Sequence, residues 1–114
     1  MNEITRQHLE DAARAAGIAL EWDGDPAEWQ PMYYEGKTYH TWEPDTDDGD
    51  SRRLQIAVRM SLVVGGSSAA AGLGLHHARL VRHDGTPDDA ARAAREAVVL
   101  CAAEVGKRMR EGER

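Results

Sequence analysis

The strongest structural signal in the sequence is a helix start at Thr86-Pro87-Asp88-Asp89. Threonine is a good N-cap, proline suits the first helical position, and acidic side chains suit the positive end of a helix dipole. Small and apolar side chains then recur along one stripe, at Ala90, Ala94, Ala97, Val98, Cys101 and Val105. We therefore predict a long third helix, followed by a charged tail over 107–114 that frays.

Two further helices are predicted nearer the N-terminus. Residues 3–16 carry apolar side chains at helical spacing, with Asn2 placed to cap the start and Gly17 to end the helix in a left-handed turn. A second helix follows the acidic run 43–50, where Thr46 or Asp47 is the expected cap.

Strands are predicted between these helices from alternating or Tyr-, Thr- and Trp-rich stretches. These stretches are 18–22, 32–42 with a turn near Glu35-Gly36-Lys37, 61–64 and 75–83. The small-residue segment 65–74 reads GGSSAAAGLG and predicts a flexible loop or a loosely held hairpin tip.

With 114 residues the chain fits one domain and is too short for two. The order of elements predicts a single α+β domain over residues 1–114. We expect an antiparallel sheet of about four strands packed with three helices, in the order αββαββα, as an αβ sandwich.

Charge is distributed unevenly along the chain. Residues 1–50 hold 13 acidic and 3 basic side chains, a net charge of −10, whereas residues 51–114 hold 7 acidic and 11 basic, a net charge of +4. An acidic chain is a poor ligand for phosphates and suits a basic protein surface, so we expect no direct nucleic-acid binding. We also find no apolar stretch of membrane-spanning length and no signal peptide, which predicts no membrane association and a location in the host-cell cytoplasm.

The residue types that carry catalysis or hold metals do not form a recognised pattern. The acidic run over 45–50 fails the calcium-loop spacing, and His76 and His77 are neighbours that point to opposite faces of a strand. Cys101 lies on the apolar stripe, and no glycine pattern is that of a phosphate loop. We expect a protein without enzymatic activity, metal or cofactor; a metal-dependent enzyme using the histidines and the 45–50 cluster is the weaker alternative.

All six aromatic side chains fall between positions 22 and 42. We expect Trp22 and Trp42 to belong to the core. The others are interleaved with acidic residues, and tryptophan and tyrosine are common anchors of protein interfaces. We therefore predict a partner-binding face that consists of Glu28, Trp29, Tyr33, Tyr34 and Glu35.

The segment Trp42-x-Pro44-x-Thr46-Asp47-Asp48-Gly49-Asp50-x-x-Arg53-Leu54, together with the Ala- and Arg-rich C-terminal helix, resembles small phage and prophage proteins of the phage ABA-sandwich kind. Glu43 stands where that family often has asparagine. The resemblance implies an αβ sandwich and a phage origin, and it implies no activity.

Together these features predict a small, non-enzymatic phage or prophage accessory protein that binds a host or phage protein with a basic surface. An acidic, anti-CRISPR-like inhibitor of a host defence system is one specific form of this hypothesis. The alternative is a self-assembling phage structural component, a homodimer in which the Ala-rich third helix pairs across a two-fold axis.

Overall fold

The computed structural model describes residues 4–23, 30–35, 37–74 and 76–112. It is an α+β protein in which each of two helices is followed by a three-stranded antiparallel sheet, and a long helix ends the chain. In chain order the elements are α1 (Arg6–Ala16), β1 (Glu21–Asp23), β2 (Gln30–Glu35), β3 (Thr38–Thr41), α2 (Asp48–Val58), β4 (Ser61–Val64), β5 (Ser68–Leu73), β6 (His76–Arg82) and α3 (Pro87–Arg110).

The helix ends follow the local chemistry of the sequence. Thr5 caps α1, and its hydroxyl accepts a hydrogen bond from the His8 amide while His8 accepts one from the Thr5 amide. Asp47 caps α2 and Thr86 caps α3, both as predicted. Gly17 ends α1 with a φ of 74°, in the left-handed conformation that glycine adopts without strain. The prediction that Asn2 caps a helix over 3–16 was wrong: α1 begins at Arg6, and Thr5 is its cap because its hydroxyl and the His8 side chain satisfy each other's backbone amides.

The strands form two sheets of three, which corrects the expected single sheet of about four. Sheet A has the order β1-β2-β3 and sheet B the order β4-β5-β6, with every neighbouring pair antiparallel. The predicted hairpin is present, and its register places Tyr34 opposite Tyr39 and Tyr33 opposite His40.

The segment predicted as a flexible loop over 65–74 contains the central strand of sheet B. Ala69 and Ala71 of β5 are buried, and β5 is hydrogen-bonded on both sides. The prediction was wrong because low complexity was taken as mobility. Small side chains also allow a strand to pack closely beneath a helix, and this advantage appears only once the neighbours are in place.

Helix α3 is the centre of the molecule, with sheet B on one side and α1 and α2 on the other. Its buried side chains lie around much of the helix rather than along the one predicted stripe: Ala93, Ala97, Val98, Val99, Cys101, Ala102, Ala103 and Gly106. Ala93, Ala97, Ala102 and Ala103 are therefore already packed within the chain, and pairing of this helix across a two-fold axis stays a prediction.

The predicted fraying tail also begins later than expected, because α3 continues through Arg110. The Arg110 guanidinium donates hydrogen bonds to both carboxylate oxygens of Asp11 on α1, at 3.0 and 3.3 Å. A tertiary ion pair thus holds the last turn of the helix. Trp42 belongs to the core as predicted, whereas Trp22 is only half-buried and has the Arg6 guanidinium over its ring at 4.5 Å.

Candidate protein-binding site

A cleft of about 640 Å³ lies between the end of α1, sheet A and the side of α2. We call it the aromatic cleft. Its walls combine tyrosine rings, small side chains and two charged groups: Ala16, Gly17, Ile18, Ala19, Glu21, Tyr33, Tyr34, Trp42, Arg53 and Ala57. Concave sites with mostly apolar walls and a few polar groups are typical of ligand and peptide binding.

Strand β2 contributes Tyr33 and Tyr34 to the lining of the cleft, and both tyrosines have a ring partner on β3. Tyr34 and Tyr39 are opposite each other on β2 and β3, and their rings lie 4.4 Å apart between centroids. Tyr33 and His40 form the next pair, at 5.4 Å, and belong to the other face because neighbouring strand residues point to opposite sides. Tyr34 is 61% exposed, so its ring is available to a partner, whereas Tyr33 is partly buried against the core.

Trp42 lines the cleft and also belongs to the hydrophobic core. Its side chain is 2% exposed, and its amide donates a hydrogen bond to the Pro31 carbonyl at 2.8 Å, which continues the β2–β3 pairing by one residue. Trp42 and partly buried Tyr33 are thus held by the core, so these two lining residues would lose little conformational entropy when a partner binds.

The electrostatics of the cleft favour a cation. Glu21 is one of the lining residues, and α1 ends at Gly17 on the same wall, where the C-terminal end of the helix carries a partial negative charge. Arg53 also lines the cleft, but its Nη2 donates to Asp50 Oδ1 at 2.7 Å, and this hydrogen bond raises the pKa of Arg53. Because Arg53 already has a carboxylate partner, it opposes an incoming cation only weakly.

The acidic run before α2 has a structural role for three of its carboxylates. Asp47 accepts from the Asp50 amide as the helix cap, and Asp48 Oδ1 lies 2.7 Å from Arg95 Nη1 on α3. Asp50 is 6% exposed and, besides Arg53, accepts from the Glu43 amide at 2.9 Å. The motif thus ties the end of β3 to α2 and α3, as expected from its helix-capping interpretation.

The predicted partner-binding residues are only partly described. Tyr33 and Tyr34 both line the aromatic cleft, whereas Glu28 and Trp29 lie outside the described residues. Glu35 ends β2, opposite Thr38, and only its backbone is described.

Sequence reasoning missed Glu21 and Arg53 as wall residues and Tyr39 as the stacking partner of Tyr34. The turn at residues 36–37 was a usable signal for Tyr39, because a two-residue turn pairs position 34 with 39. No local signal brings Arg53 of α2 beside sheet A.

His83 and Cys101 contact neighbouring parts of the fold rather than each other or a candidate ligand site. His83 Nε2 lies 2.9 Å from the Gly65 carbonyl, and its Nδ1 accepts from the Gly85 amide at 3.0 Å. Cys101 is fully buried, and burial raises the pKa of its thiol. Among residues 4–23, 30–35, 37–74 and 76–112, no group of three or more histidine, cysteine, aspartate or glutamate side chains is arranged to hold a metal ion. In the same described part of the chain, no helix combines the length and apolar character needed to cross a bilayer.

Comparisons with protein-family models, with curated proteins and with solved structures find no match to this chain. The fold and the aromatic cleft are therefore the basis for a functional proposal, and the phage ABA-sandwich resemblance stays a prediction.

Proposed function

We propose that this chain acts by binding another protein, and that the aromatic cleft receives a basic segment of that partner. The observation that carries the proposal is Tyr34, which lines the cleft, is 61% exposed and contacts Tyr39 across the hairpin with 4.4 Å between ring centroids. A rigid aromatic anchor beside a pocket is the arrangement that dominates the binding energy of many protein interfaces.

A lysine or arginine side chain is the partner group that fits best. The faces of tyrosine rings attract cations, and Glu21 and the C-terminal end of α1 add negative potential on the same wall. The overall net charge of −6 steers a basic surface toward the chain at long range. The proposed partner is therefore a protein with an exposed segment that carries lysine or arginine.

The resemblance to small phage and prophage proteins supports a narrower form of the proposal. In that form the chain is a non-enzymatic accessory protein in the cytoplasm of a bacterial host, and its target belongs to the host, for example a defence system that it inhibits. This narrower form depends on the Trp42–Leu54 motif resemblance, whereas the binding proposal depends on the cleft.

The test is affinity capture from a bacterial lysate with four variants of the full chain, followed by mass spectrometry. Tyr34→Ala removes the exposed anchor, and Leu80→Ala is the matched control because Leu80 is 57% exposed on sheet B. Glu21→Gln removes a charge from the cleft wall, and Asp88→Asn removes one from the start of α3, so that both have the same net charge.

We expect a stoichiometric partner that is retained by Leu80→Ala and Asp88→Asn and lost or reduced at least tenfold with Tyr34→Ala. Glu21→Gln should weaken capture less, and raising the salt concentration should weaken capture by the unmodified chain, because screening shortens the range of charge attraction. Equal capture by Tyr34→Ala and Leu80→Ala would show that the cleft is not the binding site.

A further inference from the structure

Sheet B has two edges of different chemistry. Its order is β4-β5-β6, so β4 and β6 are the outer strands. Strand β6 carries Arg79 and Arg82, and charged side chains on an edge strand discourage pairing with another chain. Strand β4 reads Ser-Leu-Val-Val, with neither a charge nor a proline, so its edge lacks that protection.

The hydrogen-bond pattern shows which backbone groups of β4 face the open edge. The Gly65 amide donates to the Ser68 carbonyl at 2.8 Å, and the register continues from there with Val63 opposite Ala70. Bonded and non-bonded pairs alternate in an antiparallel ladder, so residues 61, 63 and 65 bond to β5. The amide and carbonyl groups of Leu62 and Val64 therefore point away from β5, toward the open edge.

The face of sheet B opposite α3 adds an apolar row that reaches this edge. Val63, Ala70 and Leu80 lie side by side across β4, β5 and β6. Val63 is 68% exposed and Leu80 is 57% exposed, so within the described structure this row is largely uncovered. A strand added beside β4 would cover Val63 from the side.

We propose that β4 pairs with β4 of a second copy of this chain, antiparallel about a two-fold axis centred on Val63. In this register Leu62 bonds to Val64 of the second copy and Val64 bonds to its Leu62, which uses all four edge-facing groups of each strand. The two Val63 side chains become a direct cross-strand pair. The two copies of sheet B then form one six-stranded sheet whose apolar row continues across the junction.

The charge pattern favours a second copy over the basic partner of the aromatic cleft. Residues 60–78 contain no Asp, Glu, Lys or Arg, the longest such run in the chain. Two copies that each carry a net charge of −6 repel one another, so an uncharged surface is the best place for them to meet. A basic segment would find no carboxylate on β4. The proposal is independent of the aromatic cleft.

The contact between the two β4 strands is small, so we expect the dimer to be weak. A four-residue strand pair covers much less than the ~800 Å² per partner that is usual for stable complexes. Association should therefore be reversible and depend on protein concentration. Because salt screens the repulsion between the two acidic copies, added salt should strengthen the dimer, whereas it should weaken capture of a basic partner.

The first test is sedimentation velocity of the full chain over a hundredfold range of concentration. We expect a shift from monomer to dimer mass for the unmodified chain. Val63→Lys places two ammonium groups opposite each other at the junction, so it should remain a monomer over the whole range. Leu80→Lys makes the same change in the same row but at the far strand, so it should still dimerise.

The second test detects the register directly. Val63→Cys places two thiols at a non-bonded cross-strand pair about 5 Å apart between Cβ atoms, close enough for a disulfide after oxidation with copper phenanthroline. We expect a covalent dimer on a non-reducing gel for Val63→Cys, and none for Leu80→Cys or for the unmodified chain, whose Cys101 is buried.

A monomer at every concentration of the unmodified chain would overturn the proposal. Equal loss of dimer in Val63→Lys and Leu80→Lys would also overturn it, because it would indicate packing through the sheet face rather than the edge. A dimer that does not crosslink through Val63→Cys would show that the strands do not pair in this register.

Discussion

Gly106 of α3 lies directly against the backbone of Asp11 of α1, and a Cβ at position 106 would overlap the Asp11 carbonyl group. The two helices therefore approach closely at this point because residue 106 has no side chain. Ala12 and Ala13 of α1 and Ala102 and Ala103 of α3 are buried in the same core. Small residues thus set the distance between these helices.

Gly106→Ala is expected to destabilise the chain by about 3 kcal/mol or more, since the obstacle is rigid backbone. This result would oppose the usual effect of Gly→Ala in a helix, which is a gain of about 1 kcal/mol. Gly49→Ala in α2 is the matched control, because its Cβ would meet only side-chain atoms of Asp47 and Arg53 at 3.2 Å or more. Urea unfolding measures the stability of both variants. Equal stability of Gly106→Ala and Gly49→Ala would contradict the close approach of α3 to α1.

Asp11 should make stability depend on pH in the acid range. Burial raises the pKa of Asp11, and the hydrogen bonds and charge of Arg110, with help from Arg14, outweigh burial, so the net pKa lies below the usual value. A carboxylate with a lowered pKa in the folded state stabilises the fold above its unfolded pKa, and this contribution is lost as the pH falls through the folded pKa.

Asp11→Asn is expected to lower the free energy of unfolding at pH 7 by about 1–3 kcal/mol, because it leaves a buried site without its ion pairs. The cost should shrink as the pH falls below about 4, where Asp11 of the unfolded chain takes up a proton, and should be smallest below the lowered folded-state pKa. Urea unfolding of both proteins between pH 2.5 and pH 7 checks this, where the chain remains folded. A difference that stays constant with pH would show that the ion pairs contribute nothing.

Cys101 should be protected in the folded chain. Its side chain is fully buried and burial raises its thiol pKa, so the reactive thiolate is scarce and inaccessible. We expect negligible labelling by a thiol reagent under native conditions and one equivalent in urea. Cys101→Ser should cost about 1–3 kcal/mol, because it buries a hydroxyl without a partner, whereas Cys101→Ala should cost less. Rapid native labelling would place Cys101 at the surface.

Substitutions at two neighbouring alanines of β5 test whether this segment is a central strand or a flexible loop. Ala69 is fully buried beneath α3, whereas Ala70 is half-buried on the opposite face. Ala69→Thr should cost about 2 kcal/mol or more, because it adds volume and a hydroxyl to a packed site. Ala70→Thr should change stability by less than about 1 kcal/mol, since threonine suits an outward strand position. Similar melting curves for both variants would indicate that this segment is a flexible loop rather than a central strand.

The hairpin and the approximate extent of most elements were predictable from the sequence, but the way in which these elements pack together was not. Strands β2 and β3 were predicted together because the turn at 36–37 is local. Strand β5 was missed because its sequence lacks the β-branched and aromatic residues that mark strands. Tyr33 and Tyr34 are two of the ten residues that line the aromatic cleft and were predicted as binding residues, whereas Arg53 reaches the same cleft from α2, 19 residues further along the chain than Tyr34.

What the sequence determined by itself is where α2 and α3 begin and where α1 ends, through Asp47, Thr86 and Gly17. These signals act within a single turn, so they need no neighbour. Only the tertiary structure decided that α3 is buried between sheet B and the other two helices, that Arg110 is held by Asp11, and that β4 is an outer strand of sheet B. Each of these depends on segments far apart in the chain, and their contacts arise only when the whole domain has packed.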